Sequence, residues 1–588
     1  MSTASVRRPR PINWKSEAPK PLPDTLTFEA QPKLPQLPLP SVPDTLSRLK
    51  ETLKPIAWSE DEFNAVLKKI DEFGTSQAPE LQKHLTERAK QNPHWLEQWW
   101  DDGGYLGYRD SVVINVSYYY GFDNSPSHLS QTPISRAAGI TRATMLFRQQ
   151  LKQGLIKPEG TKEGPLCMDT YRWMFDCSRV PGGGLDWSVS HGKAGDKGDS
   201  GHIIVIRNNR VWKVDVAHKG RILSTQEIER QLQLVVDNTT RTYPGVGVLA
   251  ASNRDVWSRD YTELSSNPTN TKILEAIHSS AFVVSLESSR PSDPVHHSRA
   301  LWHGDIVDGV PTGLQNRWVD KPVQFIVFDN GHAGLMGEHS IMDGTPTARM
   351  CDEMLDALYN PAFDHGTSSD ASSLIPQPLD WHVSDATSQA IKKADKAAVE
   401  LIESQELGYF LTSYGKDAIK KFGVSPDSWA QMIVQLAYRR LSGDKRTGAT
   451  YEAATTRKFY KGRTEAIRVV SSESDAWVKS MDDPHATPEA RKGLFDQATK
   501  KHISLAKTAG QGQGVDRHLF GLKMVWKQGQ ETKDKPLPAL FSDPVFVRSS
   551  NWVLSTSAIF SKHFPVYGWG EVVPDGFGVA YMTGYEGG

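Results

Sequence analysis

The sequence predicts a layered α/β (α+β) protein, and three observations point there. Strand-like and helical runs alternate: residues 203–207 and 211–216 read as strands and lead into a helix over 225–235. An apolar strand over 323–328 meets Asp329-Asn330-Gly331, whose Asn-Gly predicts a type I′ hairpin returning through 333–336. Long helical patterns cover 132–153 and 388–403, the second with Ile391, Ala394, Ala398 and Leu401 on one face.

The remaining elements follow in chain order. Residues 1–30 read as a disordered basic tail. Arg7, Arg8, Arg10 and Lys15 precede the first acid, Glu17, as in a mitochondrial presequence, but Pro9 and Pro11 oppose an amphipathic helix. The proline-rich stretch 18–43 is either an extended strap anchored by its leucines or a solvated linker. Asp44-Thr45 starts a helix with Leu46, Leu49 and Leu53 on one face, and a second helix over 93–100 packs Trp95, Trp99 and Trp100 inward. Residues 110–120 read as a buried strand, and the glycine-rich stretch 180–201 as a mobile loop. Ser425-Pro426-Asp427 opens a helix with Trp429, Ile433 and Leu436 inward. A proline-bearing loop over 359–383 marks a domain boundary.

Composition excludes several classes. The chain has 588 residues, 38% hydrophobic and 23% charged, enough for more than one core. Its net charge of −1 offers no general attraction to nucleic acid or an anionic membrane. No apolar run approaches the ~20 residues of a membrane span. Cys167, Cys177 and Cys351 lie far apart in no ligand spacing and read as reduced thiols of a cytosolic-type compartment.

The chemistry concentrates at Gly337-Glu338-His339-Ser340-Ile341-Met342-Asp343-Gly344. A histidine presented just past a hairpin between glycines suits base catalysis on a hydroxyl or thiol, because neutral imidazole both takes and returns a proton near neutral pH. Asp343 is expected to fix the loop through an ion pair. Ser555-Thr556-Ser557 offers hydroxyls to an oxyanion, weakly on this ground alone. Lys416 and Lys420 share a helical face that either grips a phosphate or is merely solvated. Tyr451, the stretch from Arg457 to Thr464, and Asp516-Arg517-His518 bring arginines suited to a carboxylate, with no sequence link to His339. His296, His297 and His303 lack a third ligand at metal spacing, so no metal is expected.

Taken together, these segments resemble the carnitine/choline acyltransferase family from about Leu34 to the C-terminus. The carriers are Leu34-Pro35-x-Leu37-Pro38-x-Pro40 with Asp44-Thr45-Leu46, then Pro165-Leu166-Cys167-Met168-Asp169-Thr170-Tyr171 through Ser178-Arg179-Val180-Pro181. Asn316-Arg317-Trp318-x-Asp320-Lys321, running on to Glu338-His339-Ser340 and Asp343-Gly344, is similar to the second family signature. The form Gly-Glu-His-Ser-x-Met-Asp-Gly-Thr-Pro resembles the fungal carnitine acetyltransferases, whereas animal members carry glutamate where Asp343 stands.

The resemblance implies two CoA-dependent-acyltransferase-like domains with an active-site tunnel at their interface. One is formed by 31–90 with 383–588, and the other, 91–382, carries His339. It implies CoA and L-carnitine as substrates, no permanently bound cofactor, and a monomer in the cytoplasm. His339 is implied as general base and Ser557 as the oxyanion-side hydroxyl. Tyr451, Thr464 and Arg517 are implied to hold the carnitine carboxylate, and Lys416, Lys420 and Asp427 to meet CoA. Tyr567 falls where acetyl-specific relatives carry methionine and long-chain ones glycine, so it is implied to plug the acyl tunnel and favour acetyl transfer. Ala453 and Ala558 replace a serine and a glutamine of the animal pattern. A family arginine for CoA falls near Ile503, where Lys500, Lys501 and His502 stand. The family continues several tens of residues past Tyr581, which implies a shortened C-terminus. Medium-chain transfer and a binding-only paralogue without turnover are the alternatives.

Overall fold

The run Gln324–Phe328 is buried at all five positions, the pattern of a central strand covered on both faces. In chain order the strands that position the site are β1 (Tyr118–Gly121), β2 (His202–Arg207), β3 (Arg210–Asp215), β4 (Val283–Glu287), β5 (Gln324–Phe328), β6 (Ala333–Gly337), β7 (Gln377–Leu379), β8 (Thr450–Thr455), β9 (Thr464–Arg468), β10 (Leu554–Ala558), β11 (Val566–Gly568) and β12 (Phe577–Tyr581). A mixed eight-stranded sheet runs β7–β3–β2–β4–β5–β6–β1–β11, and a four-stranded sheet runs β9–β8–β10–β12. In the large sheet β4 pairs parallel with β2 and β5, and the other pairings are antiparallel. The computed structural model describes residues 9–20, 22, 24–368 and 374–586.

Three cores form around these layers. The largest packs on the eight-stranded sheet. A helical cluster joins Leu37 through Trp99 to Phe459, Val470 and the stretch 515–545. A smaller one lies on the four-stranded sheet around Met432, Ile467, Val469 and Trp477. The boundaries expected at 90 and 382 fall inside these cores. Trp95 and Trp99 belong to the helical cluster, and helix Asp385–Glu403 buries Ile391, Ala394, Ala398 and Ile402 in the core of the large sheet. The described residues after 359 return to the same core, with Phe363, Leu374, Leu379 and Trp381 packed against it.

Four local expectations are corrected. The hairpin between β5 and β6 is not type I′, which needs positive φ at both central residues. Only Gly331 is left-handed (φ 83°). Its N–H donates to Phe328 O at 2.8 Å, and Phe328 N–H donates to His332 O at 2.9 Å, which leaves Asp329, Asn330 and Gly331 as a three-residue connection. Of the strand expected over 110–120 only Tyr118–Gly121 is regular. Val112 to Ile114 are buried in a turn in which Ser117 N–H donates to Val112 O. A short apolar run is equally at home in a buried turn.

The expected mobile loop over 180–201 contains strand Trp187–Ser190, paired with Cys177–Val180, and its glycines are tied by carboxylates: Gly182 N–H donates to Asp186 and Gly184 N–H to Asp255. Finally, the described part of the N-terminal tail is docked. Trp14 is 4% exposed and meets Trp173 edge-on at 5.2 Å, and Ala18 and Phe28 join the large core. Arg7 and Arg8 lie outside the described residues.

Candidate active site

β6 ends at Gly337 and delivers His339 to the seam between the two sheets. Tyr118 is the register partner of Gly337, and a Cβ there would stand 2.5 Å from the Tyr118 ring, so only glycine lets that ring close over the loop. The Tyr118 ring meets the imidazole edge-on at 5.2 Å, and Tyr105 lies on its other side at 5.1 Å. Gly344 has the matching role beyond the loop, where its carbonyl accepts from Tyr120 Oη at 2.7 Å.

The imidazole is held but not sealed. Its side chain is 28% exposed, and among the described residues its Nε2 has no protein partner. Nδ1 stands 3.6 Å from Asp343 Oδ1, outside hydrogen-bond reach. Burial holds the His339 pKa below the ordinary 6.5. Asp343 and Glu338 pull it up, and Arg463 adds to the downward push. The ring is therefore neutral at physiological pH with a free nitrogen, the state a general base requires.

Asp343 makes its ion pair with Arg463, whose Nη2 lies 2.7 Å from Asp343 Oδ1. The same guanidinium donates to Ser340 O at 2.6 Å, to His339 O at 3.2 Å and to Asp101 Oδ1 at 3.0 Å, and it stacks on Tyr105 at 4.0 Å. Arg463 immediately precedes β9, so it ties the His339 loop to the four-stranded sheet. Burial would raise the Asp343 pKa, but Arg463 holds it below its ordinary value. On the other flank Glu338 is buried and accepts from Arg179 Nη1 at 2.8 Å. Arg179 and Arg254 share Asp186, and Arg254 reaches Asp320 at 2.9 Å. These pairs fix the loop from both sides.

Tyr451, Thr464 and Arg517 come together on the four-stranded sheet. β8 pairs with β9, and Tyr451 hydrogen-bonds Thr464. Arg517 Nε donates to Thr464 O at 3.0 Å, Nη2 reaches Thr464 Oγ1 at 3.4 Å, and the guanidinium stacks on Trp100 at 3.5 Å. Among the described residues no carboxylate lies within ion-pair distance of it. Its neighbour Glu465 instead accepts from Ala466 N–H (2.8 Å) and Arg517 N–H (3.4 Å), and burial pushes its carboxyl up to about 7 although Arg517 opposes this.

Ser557 sits half-buried on β10, and its carbonyl lies 2.7 Å from Tyr567 Oη. That hydroxyl also lies 2.7 Å from Tyr581 O and accepts from Tyr581 N–H, so Tyr567, on β11 of the large sheet, fastens β10 and β12 of the small one. Asp427 accepts from Tyr581 Oη at 2.7 Å. Ligand-capable atoms of Asp427, Glu452 and His502 lie within 4.8 Å of one another, but His502 Nε2 is already engaged by Glu452 at 2.7 Å and its Nδ1 by Ser428. Helix Pro426–Leu441 leaves Ile433 exposed, contrary to expectation. Its inner face carries Gln431, which donates to Thr556 and Tyr581. Lys416 and Lys420 share helix Lys416–Lys421 at the surface, with Lys416 Nζ 3.6 Å from Glu586 and Lys420 exposed.

Sequence reasoning missed Arg463, Asp101, Tyr105 and Arg179 as organisers of the loop. The stretch from Arg457 to Thr464 was visible as arginine-bearing, but its partners are protein carboxylates: Asp343 for Arg463, Glu159 for Arg457.

Comparison with known proteins shows what the chain is similar to. The family model described as Choline/Carnitine o-acyltransferase matches residues 37–587. The mitochondrial carnitine O-acetyltransferase of Saccharomyces cerevisiae is 34% identical over 95% of this chain and 84% of its own. The liver isoform of human carnitine O-palmitoyltransferase 1 is 32% identical over 95% of this chain and 73% of its own. The peroxisomal carnitine O-octanoyltransferase of Bos taurus is 32% identical over 91% and 87%. A family model matched almost end to end, with relatives more than 30% identical along most of their length, places this protein in the choline/carnitine O-acyltransferase family of enzymes.

Proposed function

We propose that the chain is a carnitine O-acetyltransferase, moving an acetyl group reversibly between CoA and L-carnitine in a tunnel along the seam between its sheets. The observation that carries this reading is His339, neutral and with Nε2 free where the loop meets the four-stranded sheet. Nε2 takes the proton from the carnitine hydroxyl as that oxygen attacks the thioester carbonyl. The Ser557 hydroxyl donates to the oxyanion. The C–S bond breaks, and the imidazolium returns its proton to the leaving thiolate, so no acyl-enzyme forms and no resident cofactor is needed.

Carnitine rather than choline is supported by Arg517, a buried fork with no carboxylate among the described residues within ion-pair distance, beside Tyr451 and Thr464. Lys416 and Lys420 offer charge to the CoA phosphates, and Asp427 lines the CoA side. Acetyl rather than a longer acyl group is supported by Tyr567, whose ring is pinned by its hydroxyl and cannot swing aside without breaking the bonds between the sheets. Each methylene denied burial forfeits ~0.8 kcal/mol. The octanoyl and palmitoyl relatives make chain length the point to test. We place the enzyme in the cytoplasm as a monomer. Its three cysteines are free, and among the described residues no helix is long and apolar enough to cross a membrane.

Thiol release from acetyl-CoA with and without L-carnitine tests the activity. His339→Ala is expected to lower kcat by about 10²–10⁴-fold while CoA still binds. Near-normal turnover would remove the base assignment, absent turnover in the unaltered chain would favour the binding-only alternative, and thiol release that does not depend on carnitine would mean thioester hydrolysis in place of acyl transfer. A screen from acetyl- to octanoyl-CoA, repeated on Tyr567→Gly, is expected to show octanoyl transfer appearing only in the variant.

A further inference from the structure

The N-terminal segment reaches the catalytic loop through a line of alternating charges. Lys15 Nζ lies 2.7 Å from Glu97 and also pairs with Asp101, whose side chain is 5% exposed. The other Asp101 oxygen takes Arg463 Nη1 at 3.0 Å, and Arg463 holds Asp343 at 2.7 Å together with the His339 and Ser340 carbonyls. Lys15 is delivered by a built anchor: Trp14 is buried against Trp173, and Arg10 pairs with Asp102. A basic tail with no work at the site would leave Lys15 in solvent. Here burial disfavours its ammonium, yet Asp101 and Glu97 hold its pKa above the ordinary value, so it is charged at every physiological pH.

We propose that Lys15 is a positioning residue of the active site: by neutralising Asp101 it leaves Arg463 free to hold Asp343 and the backbone of the His339 loop. This rests on His339 being the base. Without Lys15, Asp101 keeps a full negative charge and competes with Asp343 for Arg463. The loop loses its clamp, and a negative field is added toward the imidazole. The groups facing Lys15 are Glu97, Asp101, Asp102, Arg10, Lys461 and His94. Those facing His339 are Asp343, Glu338, Arg463, Tyr105 and Tyr118. Among these, Lys15→Met unbalances Asp101 first, because Glu97 retains Lys461 at 3.2 Å.

The test compares Lys15→Met, Lys15→Arg and Asp101→Asn in the full chain, by the pH profile of kcat/KM and by NMR titration of the His339 ring. Lys15→Met is expected to lower kcat on the order of tenfold, the scale of outer-shell support. It should also move the acid limb up by about 0.5–1 pH unit, with CoA KM unchanged, and Lys15→Arg should restore both. Asp101→Asn leaves Lys15 docked on Glu97 and should move the limb the opposite way, so it carries the test if Lys15→Met does not fold. Limbs of both variants superposing on the unaltered one would overturn the proposal. Absence of turnover in the unaltered chain would overturn the acyl-transfer reading instead, with the His339 titration still reporting on Lys15.

Discussion

Arg463 and Arg517 are both buried and both serve the same region, one just before β9 and the other donating to Thr464 at its first position. Their partners divide them. Arg463 spends its donors on Asp343, Asp101 and two carbonyls, with Tyr105 beneath it. Arg517 has Thr464 and the Trp100 face and, among the described residues, no carboxylate within ion-pair distance. A guanidinium with all its valences filled can only shape what surrounds it. One that lacks an anion is ready to receive one, since charge-assisted bonds are among the strongest a site can offer. In the proposed function this difference separates a scaffold arginine from a ligand-binding one, a distinction that residue type and burial alone do not make.

The largest effect should come from removing the receiving arginine. Arg517→Asn is expected to raise the carnitine KM by about 10- to 150-fold, the worth of one charge-assisted hydrogen bond, with CoA KM little changed. Equal increases in both would erase the contrast. Arg463→Lys should do the reverse, lowering kcat by about 10- to 100-fold at near-constant KM, because a point charge cannot serve the fork's several acceptors. A carnitine KM effect as large as that of Arg517→Asn would show that both arginines bind substrate.

A smaller effect sharpens the Arg517 side. Burial pushes the Glu465 carboxyl up to about 7. Below that pH it is neutral and leaves Arg517 to the substrate. Above it the carboxylate competes, so the carnitine KM should climb a few-fold, on the order of the cost of one partly buried like charge, between pH 6.5 and 8.5. Glu465→Gln should flatten that rise. A profile in the variant identical to the unaltered one would dissociate Glu465 from the site. On the His339 side, the acid limb of kcat/KM should fall below 6.5, since the base must be unprotonated and burial lowers its pKa.

What the sequence revealed, and what it hid, follows the same division. The hairpin that presents His339 was readable, because β5 and β6 are contiguous apolar runs around an Asn-Gly turn. Its turn type was not, since the same three residues serve two connections and only the φ of Gly331 separates them. The Arg463–Asp343 and Lys15–Asp101 pairs join residues far apart in the chain and leave no periodic trace. Charges in a docked tail and in a solvated tail are spelled with the same letters. The docking of Trp14, like the turn at Val112 to Ile114, depends on a surface made elsewhere in the chain.

The edge strand β11 also has a bearing on how the molecule is made. Its partner β1 is translated about 445 residues earlier, which at ~5–20 residues per second separates the two by roughly 20–90 s on the ribosome. From the pairing of β1 with β6 until β11 is made, the nascent sheet carries an unzipped hydrogen-bonding border at Tyr118–Gly121. An open strand edge is a template for pairing with another chain, so this border stays prone to wrong pairing until β11 emerges and closes it.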